Sequence, residues 1–390
     1  MAKVGGFPLD LLSRPKEERL AYFQKYSVRH PVLQEMDARL WRAVHTEVGS
    51  PLILVYGPTG VGKTTLRGCI ERRLQSGKTS HIETNGANGH HLPVVGVEAA
   101  APDGGNFSWK DFYKHALFLV EEPFFGKDLA RLPPVNRRLE HALSFNPRLP
   151  NCEYRASLTH ALRHRKPAAF FIDEAQHLTR MASGRKLQDQ MDVLKSLACS
   201  THSRLVLVGT YELLALRNLS GQLSRRSVEL HFRRYQTSRD DLHAFQNIVY
   251  SLQIHLPLVV EPDLMKHWEY LYARSIGCVG ILKDWLMRAL EELLEENART
   301  LTLKMLERNA LGVDQCETIA AEAIEGEGRV SYRGKSSARL MQMLGFTKTS
   351  ASSLASATRN ADNSSAPGVK IIPSLPSAVG RRKPRRDPVG

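Results

Sequence analysis

The run Gly57-Pro58-Thr59-Gly60-Val61-Gly62-Lys63-Thr64, followed by Thr65, has the glycine spacing and closing Lys-Thr pair of a Walker A phosphate loop. Glycines let successive backbone N–H groups turn inward around phosphate oxygens at a helix N-terminus, where the dipole favours an anion. Lys63 would reach the β- and γ-phosphates, and the Thr64 hydroxyl would ligate Mg²⁺. Roughly 110 residues later Phe170-Phe171-Ile172 runs into Asp173-Glu174, the apolar strand ending in two acids that a Walker B site needs. Asp173 would hold Mg²⁺, directly or through water, while Glu174 would orient and polarise an attacking water. An apolar strand ending in acids is common, but paired with the Walker A loop it points to nucleoside triphosphate chemistry.

Three further stretches extend that pattern. The run Leu205–Gly209 is strand-like and ends in Thr210, which would sit between Walker A and Walker B and help position water or the γ-phosphate. The alternative is a hydroxyl that caps the following helix. Arg225 and Arg226 precede another strand-like run, and either guanidinium could project from one subunit toward a neighbour's γ-phosphate. Gly277-Cys-Val-Gly280-Ile-Leu-Lys283 opens a helix from which Lys283 could touch the nucleotide.

These residues need a scaffold, and the hydropathy pattern supplies one. Apolar runs at Leu52–Tyr56, Pro93–Glu98, Ala168–Ile172, Arg204–Val208 and Val228–Phe232 each sit beside a helical pattern. Five strands interleaved with helices predict an α/β fold whose mostly parallel sheet is covered on both faces. The boundaries read from the sequence are an N-terminal helical segment over 1–48, the ATPase core over 49–236, a helical lid over 237–311 and a mostly disordered basic tail over 312–390. In the N-terminal segment, Pro15 suits a first helical turn, and Leu33, Met36, Leu40 and Val44 recur at helical spacing from Pro31. Ser108 and Asp111 have capping-box spacing at the start of the helix after the second strand. The tail is rich in Ser, Ala and Asn and too polar to bury a core.

The chain has 390 residues and a net charge of +14, an excess that suits an anionic partner, commonly nucleic acid. The stretch from Glu327 to Gly390 holds twelve Lys/Arg against three Asp/Glu, so +9 of that excess lies in the tail. No apolar run reaches the ~18 residues of a membrane span, and no secretory signal is legible at the N-terminus. Five scattered cysteines without a C-x-x-C pair fit reduced cytoplasmic thiols rather than disulfides or a zinc site. Candidate DNA contacts lie between the second strand and Walker B: Lys110, Lys114, Lys127, Arg131, Arg137 and Arg138. Such side chains would meet phosphates and confer little sequence preference, and the bland alternative is a solvated helix face. The RRKPRR run near the C-terminus would hold DNA or simply solubilise the end, and LMQMLGF and IIPSLP have the look of docking motifs.

In this order, GPTGVGKTTL, FFIDEAQHL, LVLVGTYEL, QLSRRSVEL and RSIGCVGILKDWL resemble the AAA+ ATPases. More narrowly they resemble the TnsC/TniB family of transposition regulators and, more distantly, the phage Mu B protein. The resemblance spans roughly residues 28–310. It implies a protein that assembles with ATP and Mg²⁺ into a homo-oligomeric ring or helical filament on double-stranded DNA. Such a protein recruits a transposase, works with a TniQ-like target selector and is reset by hydrolysis. At the lid position where these ATPases usually carry arginine, this chain has Lys283. The rival expectation is a nucleotide-gated signalling or secretion-type AAA+ ATPase that does not act on DNA.

Overall fold

The computed structural model describes residues 6–46, 52–76, 91–101, 107–120, 150–179, 185–201, 203–217, 227–331, 341 and 343–344. Its centre is one sheet of β1 (Leu52–Tyr56), β2 (Val94–Glu98), β3 (Ala169–Asp173), β4 (Arg204–Gly209) and β5 (Ser227–His231), in the order β2-β3-β4-β1-β5. Every pairing is parallel, with Tyr56 level with both Gly209 and His231, and Glu98 level with Asp173. All residues of β1 and β3 are buried, as continuous Leu/Ile/Val/Phe runs require when helices cover both faces. The insertion of β4 between β1 and β3 decides what meets at the sheet's C-terminal edge. There the loops after β1, β3 and β4 become immediate neighbours.

The helices are α1 (Lys16–Lys25), α2 (Pro31–His45), α3 (Lys63–Ser76), α4 (Trp109–Leu119), α5 (Asn151–Arg165) and α6 (Arg185–Thr201). Besides the single turn Leu214–Arg217, five more follow among the described residues: α7 (Arg239–His255), α8 (Trp268–Ser275), α9 (Val279–Glu295), α10 (Leu303–Asn309) and α11 (Val313–Ser331). Ser108 caps α4 by accepting from the Asp111 N–H at 3.3 Å, and its hydroxyl donates to the Asp111 carboxylate at 2.6 Å. The cap of α2 is less usual. His30 Nδ1 accepts from the Leu33 N–H at 3.3 Å and lies 2.9 Å from the Tyr235 hydroxyl. Burial pushes that imidazole down to about 4, so it is neutral at physiological pH and free to accept.

The N-terminal helices do not stand apart as the boundary at residue 48 would suggest. Phe23, Met36 and Leu40 share one core with Ile53, Phe171 and Val206 of the sheet and Leu282, Trp285 and Leu290 of the lid. Side chains such as Phe23 and Trp285 each contribute about 2–3 kcal/mol by leaving water, and the Trp285 indole N–H donates to the Leu306 carbonyl at 2.8 Å.

A second boundary also moves. The tail expected from 312 begins instead with helix α11. Its buried residues are Cys316, Ala323 and Gly326, small side chains that give little hydropathy signal but allow close approach. A Cβ on Gly326 would overlap the Tyr211 ring. One residue on, Glu327 accepts from Arg234 at 2.9 and 3.2 Å and from Gln236 at 3.0 Å. The chain divides into a compact unit through Arg329 and a second unit from Val330 onward. Beyond Ser331, the sequence expectation of disorder in the tail falls almost wholly outside the described residues.

All five cysteines are free thiols, and no helix among the described residues is long and apolar enough to cross a membrane.

Candidate functional site

The loop after β1 opens directly into α3, where the Leu66 N–H donates to the Gly62 carbonyl at 2.9 Å. Gly60 and Gly62 take φ of 73° and 108°, a region that side-chain-bearing residues resist. The loop tip is also clasped from the lid. The Gly280 N–H at the start of α9 donates to the Gly60 carbonyl at 2.7 Å, and a Cβ on Gly280 would overlap that carbonyl.

Lys63 is buried under this loop, with Nζ donating to the carbonyls of Gly57 at 3.1 Å and Pro58 at 2.9 Å. Burial lowers its pKa, while the carboxylates of Glu174 and Asp173 pull the other way. Thr64 and Thr65 stand exposed on the first turn of α3, where backbone N–H groups favour an anion. The loop residues Gly57 to Thr65 thus form one cradle around a helix N-terminus. Its backbone donors and buried lysine are the chemistry that a nucleotide's phosphates require.

Asp173 ends β3 and is 5% exposed. Its Oδ1 accepts from the Glu174 N–H at 3.0 Å, and its Oδ2 accepts from Arg67 Nη1 at 3.2 Å. Arg67, one turn beyond Lys63 on α3, also donates to Glu71 at 2.7 Å. Burial disfavours its charge, but Glu71 and Asp173 outweigh that and hold its pKa above the ordinary value. Each carboxylate oxygen carries two lone pairs, so Asp173 keeps acceptor capacity, and exposed Thr64 offers a hydroxyl oxygen. This oxygen pair fits Mg²⁺, which takes few protein ligands and fills its shell with water and phosphate. The described residues hold no cluster of three or more His, Cys, Asp or Glu suited to a metal.

Glu174 sits at φ 49°, and its Oε2 accepts a hydrogen bond from Gln176 Nε2. Gln176 Oε1 in turn accepts from the Thr210 N–H at 3.2 Å. Because β4 lies between β1 and β3, Thr210 falls between the Walker A loop and the Asp173-Glu174 pair. Its Oγ1 is buried with no hydrogen-bond partner among the described residues. It does not cap the following 3-10 turn with its side chain.

Other candidates are placed differently. Lys283 Nζ donates to the Gln24 carbonyl of α1 at 2.7 Å. With Val61, Gly62, Thr65 and His30 it borders a cavity of about 40 Å³. Its pKa is lowered by burial, against the pull of Asp284. Lys110 and Lys114 on α4 are partly buried, each with its ammonium 5.9 Å from the Tyr154 ring centroid. They belong to the packing of α4 on α5 rather than to a fully solvated face. Lys127, Arg131, Arg137, Arg138, Arg225 and Arg226 lie outside the described residues.

The sequence reading passed over Arg67 and Gln176. Both had a signal, Arg67 by its one-turn spacing from Lys63 and Gln176 by its place two residues after Glu174. The Arg234–Glu327 pair had none, its members being 93 residues apart.

A five-stranded parallel sheet, a glycine loop around a buried lysine and an acid pair one strand away define a P-loop nucleotide-binding α/β domain. Residues 46–216 match the family model described as "AAA domain". No curated protein matches the chain.

Similar solved structures include the Walker-type ATPase PABY2304 of Pyrococcus abyssi, at 16% identity over 78% of this chain and 76% of that one, with a TM-score of 0.43. Cdc6p from Pyrobaculum aerophilum is 14% identical over 74% and 69% of the two chains, at 0.47. Drosophila ORC bound to DNA is 16% identical over 79% and 68%, at 0.45.

Proposed function

We propose that this protein is an Mg²⁺-dependent AAA+ ATPase that assembles on double-stranded DNA and regulates transposition. The observation that carries the ATPase part is the meeting at the sheet edge of Lys63, Asp173, Glu174 and the partnerless Thr210 hydroxyl. Thr64 and Asp173 would hold Mg²⁺, which supplies charge neutralisation at the phosphate oxygens. The other work falls to this chain's own groups. Lys63 turns from its loop carbonyls to the phosphates, Thr210 donates its hydroxyl to a phosphate oxygen or water, and Glu174 accepts the water's proton. Arg225 or Arg226 of a neighbouring copy would complete the site, and Lys283 would touch the nucleotide from the lid.

The transposition part rests on the resemblance of five stretches to the TnsC/TniB family and on the charge of +14. ATP would close copies of the chain into a ring or filament on DNA, with Lys110, Lys114, Lys127, Arg131, Arg137 and Arg138 as candidate phosphate contacts. A transposase and a TniQ-like selector would dock on that assembly, and hydrolysis would reset it.

Negative-stain imaging with duplex DNA and a slowly hydrolysed ATP analogue tests the assembly, alongside DNA binding at two salt concentrations. Rings or filaments that need both ligands are expected, with binding that weakens in salt. Monomers indifferent to DNA would sink the proposal. Glu174→Gln should bind ATP and trap the assemblies.

A further inference from the structure

We infer that Gln176 is a positioning residue that holds the Glu174 carboxylate and ties it to the tip of β4, an inference that rests on the ATPase reading of this site. Gln176 is 5% exposed, and its amide is engaged at both ends. Nε2 donates to Glu174 Oε2, and Oε1 accepts from the Thr210 N–H at 3.2 Å. The reversed amide would set its NH₂ against the Thr210 N–H and its carbonyl against the carboxylate. Two like-with-like contacts would replace two hydrogen bonds, so the network itself assigns the orientation.

The surroundings are cut to this arrangement. The 3-10 turn Ala175–Thr179 carries the glutamine, with the Thr179 hydroxyl donating to the Gln176 carbonyl at 2.6 Å. On the strand side, a Cβ on Gly209 would overlap Gln176 Oε1 and come within 3.2 Å of the Gln176 backbone nitrogen. Glu174 itself holds the left-handed φ of 49°, which a non-glycine residue resists and keeps only where neighbours over-determine it.

The chemistry follows from the donor's neutrality. A general base needs one oxygen fixed and the other open to water. The amide fixes Oε2 without setting a full positive charge beside the base. The adjacent Asp173 is treated oppositely, with the Arg67 guanidinium against its Oδ2. Gln176 also makes the base sensitive to β4. Displacement of the Thr210 backbone passes through one rigid amide to the Glu174 carboxylate, so the strand tip facing the phosphates and the base move together.

Two variants of the full chain test this in steady-state ATPase assays with duplex DNA, read beside fluorescent ATP-analogue binding. Gln176→Leu keeps the volume and removes both hydrogen bonds. Its kcat should fall about 10- to 100-fold, the usual loss for an outer-shell partner, with nucleotide Kd within about threefold of wild type. Gln176→Glu keeps an acceptor for the Thr210 N–H but sets a second carboxylate against Glu174. The pair then shares a proton, so the acid limb of the rate profile should move up by about one pH unit or more, with partial recovery at high pH.

Wild-type kcat in Gln176→Leu, or a Gln176→Glu profile superimposable on wild type, would overturn the inference. So would parallel losses of kcat, nucleotide affinity and thermal stability, which would mark a purely structural residue. A wild-type chain whose phosphate release is nil and unchanged by Glu174→Gln overturns the ATPase reading itself, and the inference with it.

Discussion

The nucleotide cradle has two walls built on different principles. The wall at the sheet edge, formed by the ends of β1, β3 and β4, uses side chains: Lys63, Asp173, Arg67, Glu174 and Gln176. The wall formed by the lid and N-terminal helices closes mainly through backbone and shape. Gly280 bonds Gly60, the Lys283 ammonium is held by the Gln24 carbonyl, and His30 is a neutral cap. The difference teaches where pH and charge should act. Substitutions at the sheet edge should show in turnover and phosphate affinity, and those at the lid in closure and folding.

The largest expected effect tests the first wall. On the proposed reading, Lys63→Ala removes a charged donor to the phosphates worth about 3 kcal/mol, so ATP-analogue binding should weaken about 100-fold while the fold survives. Retained affinity would mean that the loop backbone alone binds the phosphates.

The second wall should respond to acid through folding. His30 has its folded pKa lowered to about 4, so the unfolded chain takes up a proton that the folded chain refuses. Stability from this group is complete above pH 6.5 and is lost as pH falls from 6.5 toward 4. Urea unfolding at pH 7 and pH 5 should differ by about 2 kcal/mol from this group alone. In a chain carrying His30→Asn, which keeps a capping acceptor, that difference should shrink. An unchanged difference would assign the acid sensitivity elsewhere.

A smaller effect separates shape from charge. Gly280→Ala forces the lid off the loop tip, which should weaken nucleotide binding about tenfold, or about 1.4 kcal/mol, equally at every pH between 6 and 8. A pH-dependent loss would erase the distinction between the walls.

The smallest concerns α11, which touches Tyr211 beside the first wall and Arg234 beyond β5. Glu327→Gln keeps the shape of a largely buried pair and should cost about 1 kcal/mol in urea unfolding, with nucleotide affinity unchanged. A matching loss of affinity would make α11 part of the cradle.

Much of this was legible in the residues alone. The five strands lie within a residue or two of their apolar runs, and in β1 and β3, buried on both faces, there is no alternation to misread. The phosphate loop and acid pair were legible because their chemistry demands particular residues at fixed spacing.

What sequence could not give was long-range pairing. α11 reads as tail in the sequence because Cys316, Ala323 and Gly326 bury by being small rather than greasy. Arg67 stands one turn from Lys63, but its pairing with Asp173, 106 residues away, emerges only when β3 is laid beside α3. Lys110 and Lys114 read as DNA contacts or a solvated helix face, yet each sets its ammonium over the Tyr154 ring, as cations on aromatic faces do.

The contact between Gly60 and Gly280 has a mechanical meaning. It falls at the very beginning of α9, a helix of 17 residues and so about 25 Å long. Leu282, Trp285, Leu286, Leu290 and Leu293 bury α9 along its length, so one backbone hydrogen bond ties the loop tip to the packed body of the lid.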